Sequence, residues 1–380
     1  MGLGLRWPLG FCTYRHKDMS FDSFLGNPQA IAAIREMLAG GRVPGALLFT
    51  GPEGVGKRTL ALMMAKAMVC ENGPLDFCNQ CARCRKAEQF FFTEREDLAR
   101  RRESKDSTRR VEGLVYFDLQ LIEPITKFIL TEQIRQLRTI AYTRPFELPR
   151  RVFIIDEAQT IHWQAVDLLL KVLEEPPETT SFILICPNAY ELRSTIRSRC
   201  MRVVFQPVEE AIIKDLLGRE KRLTEPQKAL AARVSAGSVA HALNFDPAEY
   251  QNRRQPWLDF LEATARRGPP GTAVDWRSLF DSARALAENR DDFEGTLKVG
   301  YSLLSDLMHL LLDPAADTVV NVDLSTRLKG WAPKLALSGI EKLKAGLDQA
   351  YRLQIRNVNP QLGFETLGID LLSGHNSLGH

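Results

Sequence analysis

Apolar and polar residues along the first half of the chain form blocks that predict strands separated by helices. Short apolar runs bounded by glycine or charged residues are typical of strands buried on both faces of a sheet. The segments between these runs repeat their apolar residues at helical spacing. This alternation indicates an α/β fold, with a parallel sheet and right-handed crossovers. The predicted strands are 46–50, 114–122, 151–155 and 182–186, and the predicted helices are 28–39, with Asn27 as its N-cap, 58–69, 131–142 and 161–173.

The second half of the chain loses the strand pattern and keeps helical spacing. We predict an α/β core at 20–207, a small helical lid at 208–245 and a helical domain at 246–380. Within the core, 93–112 mixes acidic and basic residues almost without apolar ones, which is typical of a solvated insertion, although a charged helical extension is the alternative. Residues 1–19 are expected to be a disordered tail or a start-site artefact.

The composition narrows the classes of protein to which the chain can belong. With 44% hydrophobic and 26% charged residues it resembles an ordinary soluble protein, and its 380 residues favour two or three domains. The net charge of +3 is too small to indicate a nucleic-acid binder, so any DNA contact must come from local patches. Because no apolar run reaches the ~18 residues of a membrane span, we expect a soluble protein without a membrane partner. The clustered cysteines described below favour the reducing cytoplasm.

A glycine-rich segment between the first predicted strand and the next helix has the pattern of a phosphate-binding loop, although a simple glycine-rich turn is the alternative. Backbone N–H groups can curl around an anion there, and Lys57 is expected to reach the terminal phosphates of ATP or ADP. The next position normally carries Ser or Thr to hold Mg²⁺. Here it is Arg58, and Thr59 comes one residue too late, which argues against Mg²⁺. The predicted nucleotide-binding residues of this segment are Gly51, Gly54, Gly56, Lys57, Arg58 and Thr59.

Two carboxylates, Asp156 and Glu157, follow the third predicted strand. In nucleotide hydrolases of this layout the first carboxylate orients metal-bound water and the second polarises the attacking water. Two acids at the end of a strand also occur at a solvent-exposed edge without any function. Asp156 and Glu157 lie about 100 residues after the phosphate loop, and this spacing favours a role in the nucleotide site over a surface edge.

Four of the seven cysteines lie within fifteen residues, in the segment 70–84. Four thiolates in one loop can close a tetrahedral Zn²⁺ site, which would be structural because no coordination position stays open. The clustering favours a metal site in a reducing compartment over a disulfide framework. Chance clustering, redox-active thiols and an iron–sulfur cluster remain alternatives. The predicted ligands are Cys70, Cys78, Cys81 and Cys84.

Together these motifs resemble the delta-prime type of clamp-loader subunit of bacterial DNA polymerase III, in the AAA+ superfamily. The resemblance extends from about residue 20 to 243 and implies an AAA+ P-loop core, a small helical lid and an all-α collar domain through which loader subunits form a ring. Besides the phosphate loop and the cysteines, its most specific elements are the sequences at 121–124, 153–158, 169–177 and 195–200.

The resemblance also assigns a role to Arg199, which would otherwise be interpreted as a solvated surface charge. It implies that Arg199 acts as an arginine finger in trans, on the ATP of a neighbouring subunit, where a guanidinium stabilises charge in the transition state. It further implies a structural zinc, partners of the tau/gamma and delta types, and contact with the sliding clamp and primed DNA through the assembled complex.

Three positions depart from the pattern of active loader ATPases: Arg58, the Cys186–Pro187 pair and His241. We therefore expect the chain to hydrolyse little ATP by itself. One alternative is an ATP-hydrolysing motor subunit of the tau/gamma type. Another is a zinc-stabilised DNA-binding module with a vestigial nucleotide fold, supported by the basic run around 100–110.

Overall fold

The computed structural model describes residues 20–73, 75–88, 118–265, 275–288, 292–315, 319–355 and 359–373. The predicted tail at 1–19, the charged insertion at 93–112 and its basic run lie outside these residues. The described chain divides into two compact units. One contains the described residues up to Ile213 together with Ala236–Asn244, and the other contains Lys214–Ser235 and the described residues from Phe245 onward. The expected division into core, lid and collar stays a prediction.

The first unit is built on a five-stranded parallel sheet. Its strands are β1 Ala46–Thr50, β2 Leu119–Ile122, β3 Arg151–Ile155, β4 Thr180–Cys186 and β5 Met201–Val204. Their order in the sheet is β2-β3-β4-β1-β5. The first four strands are buried along their whole length, as expected of a parallel sheet covered on both faces, whereas the edge strand β5 buries only Val203.

Alternating side chains of β1 supply the two faces of this sheet, because successive residues of a strand point to opposite sides. Leu47 and Phe49 belong to the core cluster that includes the first two helices, and Leu48 belongs to the cluster on the other face. The helices that begin within this unit are α1 Pro28–Ala39, α2 Lys57–Val69, α3 at 82–88, α4 Thr131–Ala141, α5 Val166–Glu174, α6 Ser194–Arg197, α7 Glu210–Gly218 and α9 Val239–Leu243.

Several predicted boundaries are corrected by the structure. The described part of the second strand begins at Leu119, and the helix expected from residue 161 begins at Val166. Ile161 instead forms a parallel bridge with Ile129, which keeps its backbone extended. Asn27 does stand at the N-cap of α1, but its side chain bonds the backbone of Gln206 rather than the helix, donating at 3.2 Å and accepting at 2.7 Å.

A buried ion pair connects the start of β3 to the residue before β2. Asp118 accepts hydrogen bonds from the amides of Phe146, Glu147 and Leu148 at 3.0, 2.8 and 2.9 Å, and from Arg151 Nη2 at 3.1 Å. Burial alone would raise the pKa of the Asp118 carboxyl. The amides and the guanidinium outweigh burial and hold that pKa below its usual value.

The second unit is entirely helical within the part of it that the structure describes. Trp257, Phe260, Phe293 and Phe364 are almost fully buried at its centre. The long helix α13 contains a kink at Ala336, whose φ of 54° is not helical. No helix among the described ranges of the chain is both long and apolar enough to cross a membrane. The helices are α8 Glu225–Val234, α10 Pro247–Ala265, α11 Trp276–Glu288, α12 Phe293–Leu312, α13 Ser325–Ile355 and α14 Gln361–Ser373.

Candidate functional site

The glycine-rich loop lies between the carboxyl end of β1 and the start of α2, the edge of a parallel sheet where ligands bind. Gly54 and Gly56 have φ of 72° and 96°, and side chains pack closely against both. A Cβ on Gly54 would lie 2.0 Å from Ser238 Oγ, and one on Gly56 would lie 2.7 Å from Phe24 Cζ. The loop conformation and its packing therefore both require glycine at these positions.

Lys57, the first residue of α2, is directed back over the loop. Its ammonium donates to the carbonyls of Gly51 and Pro52 at 2.5 and 2.6 Å, and only 7% of the residue is exposed. Burial lowers the Lys57 pKa, and the nearby carboxylates of Asp156 and Glu53 oppose this shift. An ammonium has three N–H donors, so among the described residues one donor of Lys57 is left over for an anion in the loop.

The guanidinium of Arg58 binds two carboxylates at the ends of neighbouring strands. It forms a two-pronged ion pair with Glu123, with Nη2 3.2 Å from Oε2 and Nη1 bonded to Oε1, and Nη1 also lies 3.5 Å from Asp156 Oδ2. Only 4% of the Glu123 side chain is exposed. Sequence reasoning missed Glu123 as a site residue, although its position directly after an apolar strand, like that of Asp156, is a usable signal.

These contacts decide whether Mg²⁺ fits the site. The ion needs a near-octahedral set of oxygens at about 2.0–2.1 Å. Here the carboxylate expected to orient metal-bound water, Asp156, pairs with Arg58 on one oxygen and accepts the Glu157 amide at 2.9 Å on the other. Thr59 lies one residue beyond the position of the usual hydroxyl ligand. The residues present do not fit Mg²⁺.

The segment that contains His241 lies against the same loop. The Ala240 amide donates to the Gly54 carbonyl at 3.1 Å, and Ser238 Oγ accepts from the His241 amide at 3.2 Å. On the other side of the loop, the Gly51 amide donates to the Pro187 carbonyl at 3.1 Å. The other two departures from the active-ATPase pattern, at the Cys186–Pro187 pair and at His241, therefore lie in segments that contact the phosphate loop.

The four clustered cysteines come together as a candidate metal site. Their sulfur atoms all lie within 4.8 Å of one another, near the sulfur–sulfur distance of about 3.8 Å that a tetrahedral zinc with 2.3 Å bonds requires. Hydrogen bonds from the amides of Gln80 and Cys81 lower the pKa of Cys78 to about 6, whereas burial raises the pKa of Cys84 above its usual value. The donor set fits a tetrahedral cation, which would keep the buried thiol ionised.

A buried lysine attaches the cysteine loop to α2. Lys66 Nζ donates to Asn79 Oδ1 at 2.7 Å and lies 5.1 Å from the centroid of the Phe77 ring. Asn79 itself has a left-handed backbone, with φ of 58°, between two of the cysteines. Since α2 carries Lys57 at its first turn and Lys66 near its last, one helix supports both the phosphate loop and the cysteine loop.

Arg199 lies just beyond α6 and is held by two contacts. Its Nη1 donates to the Thr195 carbonyl at 2.9 Å, and its Nη2 lies 2.6 Å from Glu174 Oε1 at the end of α5. About a third of its side chain is exposed. The guanidinium is therefore oriented by its own chain and accessible from solvent.

Comparisons with known proteins show what the stretch with these motifs is similar to. Residues 26–209 match the family model described as DNA polymerase III, delta subunit. The chain is 28% identical over 230 residues to DNA polymerase III subunit gamma of Buchnera aphidicola subsp. Acyrthosiphon pisum, covering 59% of this chain and 57% of that protein. It is 28% identical over 234 residues to subunit tau of Escherichia coli, covering 60% and 32%. It is 29% identical over 216 residues to subunit delta' of Bacillus subtilis, covering 57% and 58%.

The chain thus spans between about a third and three fifths of the length of these relatives. Among solved structures, a DNA polymerase III gamma subunit-related protein from Thermotoga maritima aligns with 15% identity and a TM-score of 0.44, over 90% of this chain and 98% of that one. The family model, the curated relatives and the phosphate loop coincide on one stretch of sequence. Over residues 26–209, a little under half of its length, this chain is therefore similar to the gamma, tau and delta' subunits of DNA polymerase III.

Proposed function

We propose that the chain is a clamp-loader subunit of the delta-prime type, which hydrolyses little ATP itself and donates Arg199 to the ATP of a neighbouring subunit. The observation that carries this proposal is the ion pair of Arg58 with Glu123 and Asp156. A hydrolase of this layout uses the Asp156 position to orient metal-bound water. Here a permanent cation of the chain itself binds that carboxylate.

The surroundings of Arg199 support its role in a neighbouring site. An arginine finger must be oriented before assembly and must still be exposed. The contacts with Thr195 and Glu174 orient the Arg199 guanidinium, and about a third of the side chain is still exposed. Arginine fingers contribute roughly 10³–10⁵ in rate at the site they serve. Supplying the finger in trans makes hydrolysis depend on assembly.

The rest of the proposal concerns architecture and partners. The four cysteines bind a structural Zn²⁺ that stabilises the segment 70–84. Residues 20–207, 208–245 and 246–380 serve as the AAA+ core, lid and collar, and the collar joins subunits of the tau/gamma and delta types into a cytoplasmic ring. Through this ring the chain helps to place the sliding clamp on primed DNA. The family match and the helical second unit support this arrangement.

Reconstitution of the loader with ATPase-active subunits tests the finger. Arg199→Ala should lower DNA-stimulated ATP turnover about tenfold or more without changing the assembly of the complex. Arg197→Ala is the matched control, since Arg197 ends α6 two residues before Arg199 but stacks over the Tyr190 ring at 4.8 Å. Turnover that is unchanged by Arg199→Ala, or equally reduced by both variants, would contradict the assignment.

An ATP-hydrolysing subunit of the tau/gamma type is the second candidate. It is favoured by the similar identity of the chain to gamma, tau and delta' relatives and by the retention of Lys57, Asp156 and Glu157. ATP turnover by the isolated chain separates the two candidates.

A further inference from the structure

The ends of β2 and β3 bring two carboxylates to the same edge of the sheet. The strands are parallel neighbours with Ile122 beside Ile155, so that the next residues, Glu123 and Asp156, emerge side by side. The Asp156 amide donates to the Ile122 carbonyl at 2.9 Å, which fixes this register to the last residue of β2. Without a cation, the two acids would repel each other in a site with little access to water.

Arg58 neutralises this pair from the first turn of α2. Its guanidinium contacts both oxygens of Glu123 and one of Asp156, which is the arrangement expected of a bidentate charge-assisted pair. A divalent ion coordinated by the same oxygens would have to displace the guanidinium or lie directly against it. Both alternatives are unfavourable, because the first leaves a partly buried cation unpaired and the second places like charges in contact.

The contacts with Glu123 and Asp156 do not use all the donors of the Arg58 guanidinium. A guanidinium has five N–H donors, of which the carboxylates engage three. Arg58 Nε is buried and has no hydrogen-bond partner among the described residues. Lys57 retains one donor, and the first N–H groups of α2 have no intrahelical acceptor. These groups together offer positive charge and donors to a phosphate without a metal.

We propose that Arg58 takes the place of Mg²⁺ in this chain, so that the phosphate loop binds ADP or ATP without a divalent cation. The nucleotide then stabilises the subunit as a ligand of its folded state and is not consumed. This role goes beyond the donation of Arg199 and does not depend on it, since it concerns the chain's own loop.

Binding of a fluorescent ADP analogue to the full isolated chain tests the proposal. The dissociation constant should be the same within about threefold in EDTA and in excess MgCl₂, whereas in an Arg58→Thr variant it should weaken about tenfold or more in EDTA and recover with Mg²⁺. Lys57→Ala should abolish binding in both buffers. Arg58→Lys is the matched control, because it keeps a cation at the site and should retain binding in EDTA.

Each outcome is decisive. Wild-type binding that requires Mg²⁺, no binding in either buffer, or binding that survives Lys57→Ala would overturn the proposal. If Arg58→Thr fails to fold because Glu123 is left unpaired, the Arg58→Thr/Glu123→Gln double variant removes the buried charge, and the wild-type comparison between buffers still decides the question. None of these measurements uses the loader complex, so their failure is distinguishable from failure of the Arg199 assignment.

Discussion

Loss of the Arg58 guanidinium should destabilise the first unit by an amount that the structure allows us to work out. Arg58→Ala leaves the carboxylate of Glu123, 96% buried, without its partner. Removing one partner of a fully buried ion pair costs about 3–5 kcal/mol, and we reduce this to about 2–3 kcal/mol because a quarter of the Arg58 side chain is exposed. For a unit of this size, that corresponds to a fall in melting temperature of roughly 5–10 °C.

Thermal unfolding followed by calorimetry measures this effect. The double variant Arg58→Ala/Glu123→Gln should recover more than half of the loss, since it removes the unpaired charge. Arg135→Ala is the control, because its pair with Glu132 lies on the surface of the same unit and should contribute no more than about 0.5 kcal/mol. Equal stability of the Arg58 and Arg135 variants, or no recovery in the double variant, would refute the reasoning.

Two further predictions concern other parts of the first unit. The purified chain should contain one zinc per molecule by elemental analysis, and Cys81→Ser should lose it, whereas Cys200→Ser should not; a metal-free wild-type chain would contradict the site. Because the Asp118 pKa is lowered in the folded state, its stabilising contribution should be complete above about pH 4 and disappear as the pH falls toward the folded pKa. The stability difference between wild type and Asp118→Asn should therefore shrink below pH 4, and a difference that is constant with pH would be the contrary result.

The central strands were predictable because their burial on both faces requires continuous runs of apolar residues in the sequence. The predicted β1 and β3 have the observed bounds, since strands covered on both faces consist of apolar residues throughout. The edge strand β5 was missed because it buries only Val203 and its pattern does not differ from that of a loop. The α/β class, the parallel sheet and the helical C-terminal half were confirmed.

The chemical partners of the site residues were less predictable. The phosphate loop, Asp156 and the cysteine cluster are recognisable from spacing alone. The pairing of Arg58 with Glu123 joins residues 65 positions apart, and only the register of two parallel strands brings that acid to α2. The contact of Lys66 with the cysteine loop was missed for a different reason, because a lysine within a helix is usually solvated.

Phosphate release from the purified chain, with ATP and Mg²⁺ in excess, is the decisive measurement for the proposed role of Arg58. If Arg58 occupies the position of the catalytic metal, turnover should be no higher than that of a Lys57→Ala variant measured beside the wild type. Rapid Mg²⁺-dependent release that Lys57→Ala abolishes would refute this role and identify the chain as a motor subunit.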